Sequence, residues 1–136
     1  QALGMLTENN ISTQRRIRLE RAKARIQNSE LPKAREELQA LIKDLGEDEN
    51  ADTKLLRDAR SAFAYSRYYM TYLMKLEALP REVWEPEIEA ARQEYKLLAQ
   101  QSEGAESESY TQDLESAIRL ARADIDDLTG RAIPKP

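Results

Sequence analysis

Residues 22–45 read AKARIQNSELPKAREELQALIKDL, and the reading of this stretch decides the fold. Leu31, Ala34, Leu38, Leu41 and Leu45 recur at spacings of three and four, which puts them on one face of a helix. Glu36, Glu37, Lys43 and Asp44 fall mostly on the other side. Pro32 sits in a first turn, where a helix has no intrahelical use for the N–H that proline lacks. Ser29 is expected to cap this start, with Glu30 at the positive end of the helix. Gly46 suits the left-handed position that ends a helix. Leu19, Ala22 and Ile26 form a narrower apolar stripe before the turn. So short a turn makes the two helices adjacent and antiparallel.

Composition outside the hairpin points the same way. The 136 residues suit a single helical domain, 1–136, with tails expected at 1–10 and 131–136. Ala, Leu, Glu, Arg, Lys and Gln dominate, and all favour helix. Val83 is the only valine and Phe63 the only phenylalanine, too few strand formers for a sheet. The expected fold is all-α, with about five antiparallel helices. The first runs from about Ser12 to Gln27 and the second from about Leu31 to Leu45. An acidic linker, Glu47 to Asn50, follows. Asn50 or Asp52 caps a third helix that Pro80 stops. Pro86 opens the fourth, which ends near Gln101. A polar loop, Ser102 to Glu108, leads to a capping-box pattern at Ser109 and Gln112, and the fifth helix ends near Thr129 with Gly130 as its stop. Leu3, Met5 and Leu6 are candidates to anchor the N-terminal tail.

The run Asn28-Ser29-Glu30-Leu31-Pro32-Lys33-Ala34 resembles the turn and second-helix start of a tetratricopeptide repeat. That family places small residues where its paired helices cross, and Ala22 and Ala34 match those places. It favours large apolar residues on its first helix, where this chain carries Arg18 and Arg25. The resemblance covers residues 15–46, and no second copy follows at a period of about 34 residues. It implies helical hairpins forming a short solenoid or bundle, a scaffold that presents surfaces and does no chemistry.

The later helices carry clear stripes. Ile88, Ala91, Tyr95 and Leu98 make one, which Trp84 extends backwards; Leu114, Ile118, Ala121, Ile125 and Leu128 make another. The third helix is apolar over much of its circumference, from Leu55 and Leu56 to Leu73 and Leu76, the pattern of a helix packed by neighbours on several sides. At about 27 residues it would span about 40 Å as the centre of the fold.

Chemistry is restricted by what is missing. The chain has no cysteine and no histidine, which excludes disulfides, thiolate nucleophiles, Ser-His-Asp triads and histidine metal motifs. Neither a catalytic centre, a cofactor site nor a metal site is expected. The acidic loop from Asp44 to Asp52 lacks the spacing and central glycine of an EF-hand. Asp124, Asp126 and Asp127 are expected to end the fifth helix, against its dipole. Glu85, Glu87 and Glu89 crowd the start of the fourth, where the dipole favours them. An enzyme built on carboxylates and tyrosines alone is the remote alternative.

Candidate binding residues fall in two groups. Tyr65, Tyr68, Tyr69 and Tyr72 lie within eight residues. They either fill gaps between helices or line an aromatic groove for a peptide or partner helix. Arg18, Arg21 and Arg25 belong to a run of six positive charges in eleven residues. These either pair with neighbouring acids or select a charged partner. Trp84 either plugs the junction of the third and fourth helices or anchors a partner. The reading is a non-catalytic scaffold for a protein or peptide partner; a helical bundle that self-associates into a homo-oligomer is the alternative. The net charge of −4 opposes a nucleic-acid partner. No apolar run approaches the ~20 residues that span a membrane, so no membrane insertion is expected. Gln1, not Met, stands first, as expected of a processed form or of a chain from which something has been removed, and an excised signal peptide, with export, is one explanation.

Overall fold

A computed structural model describes residues 2–128, with side chains placed from Asn10 onward. Six helices occupy them: α1 (Ala2–Gln27), α2 (Leu31–Glu47), α3 (Thr53–Leu76), α4 (Arg81–Gln101), α5 (Gly104–Arg122) and the single turn α6 (Ile125–Leu128). Among the described residues there is no strand, and the all-α class holds. None of these helices is long and apolar enough to cross a membrane. The chain forms two compact units, Gln1–Phe63 and Ala64–Pro136, divided within α3.

In the first unit, α1 and α2 form the expected hairpin. Ala22 and Ala34 are fully buried, as are Leu38 and Leu41. The turn is built differently from the reading above. Ser29 adopts φ 65°, the left-handed position that follows a helix. The Glu30 amide donates to the Arg25 carbonyl (2.8 Å) and the Ser29 amide to that of Ile26 (3.2 Å). These are the two bonds of a Schellman motif closing α1. Ser29 therefore ends α1, whereas Glu30 occupies the N-cap of α2 with no side-chain bond to the helix. Gly46 does not stop α2 either: it lies inside the last turn, and Asp48 is the C-cap. Asp52 caps α3 as expected, its Oδ1 accepting from the amides of Lys54 (3.0 Å) and Leu55 (3.4 Å). Leu55, Ala59 and Ala62 are the buried side chains of this half of α3.

The second unit contains the rest of α3 with α4, α5 and α6. Its core joins Ala64 and Tyr72 of α3, Ile88, Ala91, Tyr95 and Leu98 of α4, and Tyr110, Ala117 and Leu120 of α5, with Leu128 of α6. Another Schellman motif ends α3. Ala78 takes φ 58°, and the Leu79 amide donates to the Met74 carbonyl (3.0 Å). Helix α4 begins at Arg81, before Pro86, with Pro80 at its N-cap. Pro86 thus falls one turn inside, where an Arg81–Glu85 ion pair braces the turn it interrupts. Helix α5 begins at Gly104, not Ser109, because Ala105 and Glu106 continue the helix backwards and Gly104 turns the chain at φ 61°. Only Ser102 and Glu103 separate α4 from α5.

The far end of α5 departs most from expectation. The helix stops at Arg122, and Ala123 is extended. Asp124 then caps α6: its Oδ1 accepts from the Asp127 amide, and its own amide donates to Asp127 Oδ2, both at 3.0 Å. These carboxylates start a new turn and do not oppose the dipole of the old one. Helix α1, for its part, begins at Ala2, well ahead of Ser12, through the stretch read as a tail. The expected anchors Leu3, Met5 and Leu6 lie outside the described side chains. The stop at Gly130 and the tail at 131–136 lie outside the described residues.

Candidate functional site

The four tyrosines lie on the part of α3 that belongs to the second unit. Tyr65 and Tyr72 are buried; Tyr68 and Tyr69 are half-buried. Their rings run along α3 in contact: Tyr65 stacks with Tyr68 at 6.1 Å between centroids, Tyr65 meets Tyr69 at 6.2 Å, and Tyr69 meets Tyr72 at 6.4 Å. Such pairs add to what area burial alone contributes. Burial raises the pKa of Tyr65 above the ordinary tyrosine value, helped by Tyr69 and Tyr68. Burial does the same to Tyr95, where the carboxylate of Asp113 adds to the effect. Asp113 itself is half-buried, and desolvation raises its pKa.

The arginines lock the hairpin of the first unit. Arg18 Nη1 donates to Asp44 Oδ2 at 2.9 Å, and Arg21 Nε to Glu37 Oε2 at 3.4 Å. Arg25 Nε stands 3.4 Å from the other oxygen of Glu37. Arg15 extends the ladder to Asp48 at 2.8 Å, and its hydrogen bond lowers the Asp48 pKa. From Arg15 through Arg18 to Arg21 the partner numbers fall, from 48 through 44 to 37, which is the register of an antiparallel pair, and Arg25 shares Glu37 with Arg21. Solvent screens pairs this exposed, so each adds little to stability and their effect is chiefly on register. Their charges are already answered within the hairpin.

A third place was not singled out by the sequence. Lys75, in the last turn of α3, is only 7% exposed. Its Nζ donates to the carbonyls of Leu120 (2.8 Å) and Ala121 (3.2 Å) and to that of Ala123. They stand at the C-terminus of α5, where carbonyls run short of intrahelical donors, and that of Leu120 also accepts from the Ala123 amide (3.3 Å). The same ammonium lies over the Trp84 ring, 4.3 Å from its centroid. Burial lowers the Lys75 pKa, and Asp124 acts in the opposite sense. The sequence held one signal: Tyr65, Tyr68 and Tyr72 lead at helical spacing to position 75. A lysine on a face that also carries buried rings must find acceptors.

Lys75 and Trp84 floor a cleft of 560 Å³ between the end of α3, the start of α4 and the α5–α6 junction. Leu79 stands at its rim 37% exposed and Ile125 42% exposed. Asp124 and Asp126 line the α6 wall, and Arg81 the α4 wall. Trp84 is half-buried, packed against the core of its unit. A smaller groove of 380 Å³ lies in the first unit beside Ile11, Arg15 and Asp48. Among the described residues, no three carboxylates gather into a group that could hold a metal ion. The larger cleft offers apolar contact and surface charge. Its one buried amine has three carbonyls around it, so its protons are engaged and it is no nucleophile as it stands.

The class these features define is an all-α protein with a helical hairpin. No family model, curated protein or solved structure matches this chain.

Proposed function

We propose that this chain is a non-catalytic interaction module that binds a peptide or partner helix on a preformed helical surface. The observation that carries the reading is the cleft over Trp84, where Leu79 and Ile125 expose apolar surface beside a half-buried indole. A large aromatic ring held by its own core costs little entropy when it takes a ligand, as binding anchors require. The ring chain from Tyr65 to Tyr72 serves this surface by stiffening the helix that carries it. Arg18, Arg21 and Arg25 serve the hairpin by fixing its register. The tetratricopeptide-like reading of residues 15–46 is supported by the complete burial of Ala22 and Ala34.

Trp84 is the only tryptophan, so its emission reports on the cleft without a label. Peptides selected from a random display library on the full chain are expected to shift that emission on binding, and Leu79→Asp is expected to abolish the shift while circular dichroism stays helical. A library that yields no binding peptide would sink the reading.

Self-association is the second reading, favoured by Ile17, which is 58% exposed on α1. A sedimentation mass that doubles with concentration and reverts in Ile17→Glu would favour it.

A further inference from the structure

We infer that the break between α5 and α6 is a conformational device, a hinge at Ala123 that passes between the bent form and one straight helix running from Gly104 to Leu128. The sequence itself supplies no reason for the bend. From Ala105 to Leu128 there is neither glycine nor proline, the usual causes of a sharp break. Arg122 and Ala123 are strong helix formers. Leu114, Ile118, Ala121, Ile125 and Leu128 keep helical spacing straight through them. Yet Ala123 is extended, with φ −70° and ψ 146°. Contacts from elsewhere in the fold therefore hold the bend.

The backbone hydrogen bonds show what those contacts are. In a straight helix the carbonyls of Leu120, Ala121 and Ala123 accept from the amides of Asp124, Ile125 and Asp127. In the bent form Lys75 Nζ donates to those same three carbonyls. The amides of Asp124 and Asp127 turn to each other's carboxylates, each at 3.0 Å. Groups that one form joins to each other are thus satisfied separately in the other, so neither form leaves them orphaned. The bent form adds the burial of Leu128, which is 3% exposed. The straight form adds three helix bonds and extends a long helix in place of a single turn, which is marginal alone. A segment with two such arrangements is a bistable element. Asp124, Ile125 and Asp126 line the cleft over Trp84, so straightening at Ala123 moves that wall and opens the cleft on one side. A ligand of the cleft shifts the hinge only as far as it prefers one form.

The Cα chemical shift of Ala123 in the full chain reads the hinge without any ligand, so the result stands whether or not the cleft docks a partner. Asp124→Ala with Asp127→Ala removes the reciprocal cap and touches only exposed side chains. Adding Lys75→Met removes the donor to the three carbonyls. Ile125→Pro locks the bend: the first position of α6 accepts proline, whereas in a straight helix its ring would clash with the Ala121 carbonyl. The parent is expected to show an extended shift at Ala123. The double variant should move it towards the helical value, the triple variant further, and Ile125→Pro should return it in both. An extended shift that persists in both variants overturns the inference. So does a shift to the unstructured value that Ile125→Pro leaves unchanged, because the end of α5 then frays and does not straighten. If the triple variant does not fold, the double variant decides alone by the same criteria.

Discussion

The ammonium of Lys75 lies 4.3 Å from the centroid of the Trp84 ring and ties the end of α3 to the start of α4. The same group closes the end of α5 by donating to the carbonyls of Leu120, Ala121 and Ala123. One side chain thus fixes three helix ends around the cleft. Lys75→Met keeps much of the apolar stem and removes the ammonium. Three carbonyls then lose a donor, and the buried one, that of Leu120, keeps only the Ala123 amide. The expected loss is about 2–4 kcal/mol in urea unfolding, with a change in Trp84 emission in the folded state. Lys75→Arg should not rescue it, because a planar fork cannot point donors at three carbonyls converging on one atom. A Met variant as stable as the parent would show that these bonds do not hold the α5 end.

Backbone conformation separates three small residues by sign. Ala78 holds φ 58°, where a side chain is strained, so Ala78→Gly should stabilise by about 1 kcal/mol. Gly46 lies inside α2 with open space where a Cβ would stand, so Gly46→Ala should stabilise by about 0.5–1 kcal/mol. Gly104 also has open space around that position, but its φ of 61° makes Gly104→Ala destabilising by about 1 kcal/mol. Thermal melts of the three variants check the signs. An Ala78→Gly variant less stable than the parent would contradict the Schellman assignment at the end of α3.

The hairpin was legible because everything that makes it is local. Leu31 to Leu45 repeat at helical spacing, Pro32 marks the first turn, and the pairing acids sit within the next helix. At Ser29 the residue type is ambiguous, because a serine between two helices suits either a cap or a left-handed stop, and only the backbone, with φ 65°, distinguishes them. The break between α5 and α6 was hidden for another reason. Leu114, Ile118, Ala121, Ile125 and Leu128 keep helical spacing straight through Ala123, so the pattern carries no sign of it. Part of what stabilises the break comes from Lys75, more than forty residues away in the chain. The tyrosines show the same boundary: their spacing places them along α3, but whether that face is covered depends on α4 and α5.

Asp113 should be a liability at neutral pH. Desolvation raises its folded pKa above the usual 3.8, so the folded state holds its proton more tightly than the unfolded chain does. Stability is therefore lost as pH rises from the unfolded value through the folded one, and the loss persists above. Asp113→Asn removes the charge. It should raise the urea midpoint at pH 7 and leave it nearly unchanged near pH 3, where the carboxyl is protonated in both states. Equal shifts at both pH values would assign the gain to packing and not to charge.

Alkaline pH should act through two buried phenols. Burial raises the pKa of Tyr65 and of Tyr95 above 10 in the folded second unit. Unfolding exposes both, and each then releases its proton near the ordinary value of 10. The unfolded state binds fewer protons above that pH, so stability falls as pH rises. The slope is about 1.4 kcal/mol per pH unit for each protected tyrosine. Over one to two units this takes a large share of the 5–15 kcal/mol that holds a typical domain together. Tyr95→Phe keeps the ring and removes one ionisation, so its loss of stability between pH 10 and 11.5 should be shallower than the parent's by about that slope. Lysines and arginines titrate alike in both proteins and cancel in the comparison. Parallel pH profiles for the two would mean that the Tyr95 hydroxyl already ionises in the folded protein, and that it is not sealed in the core.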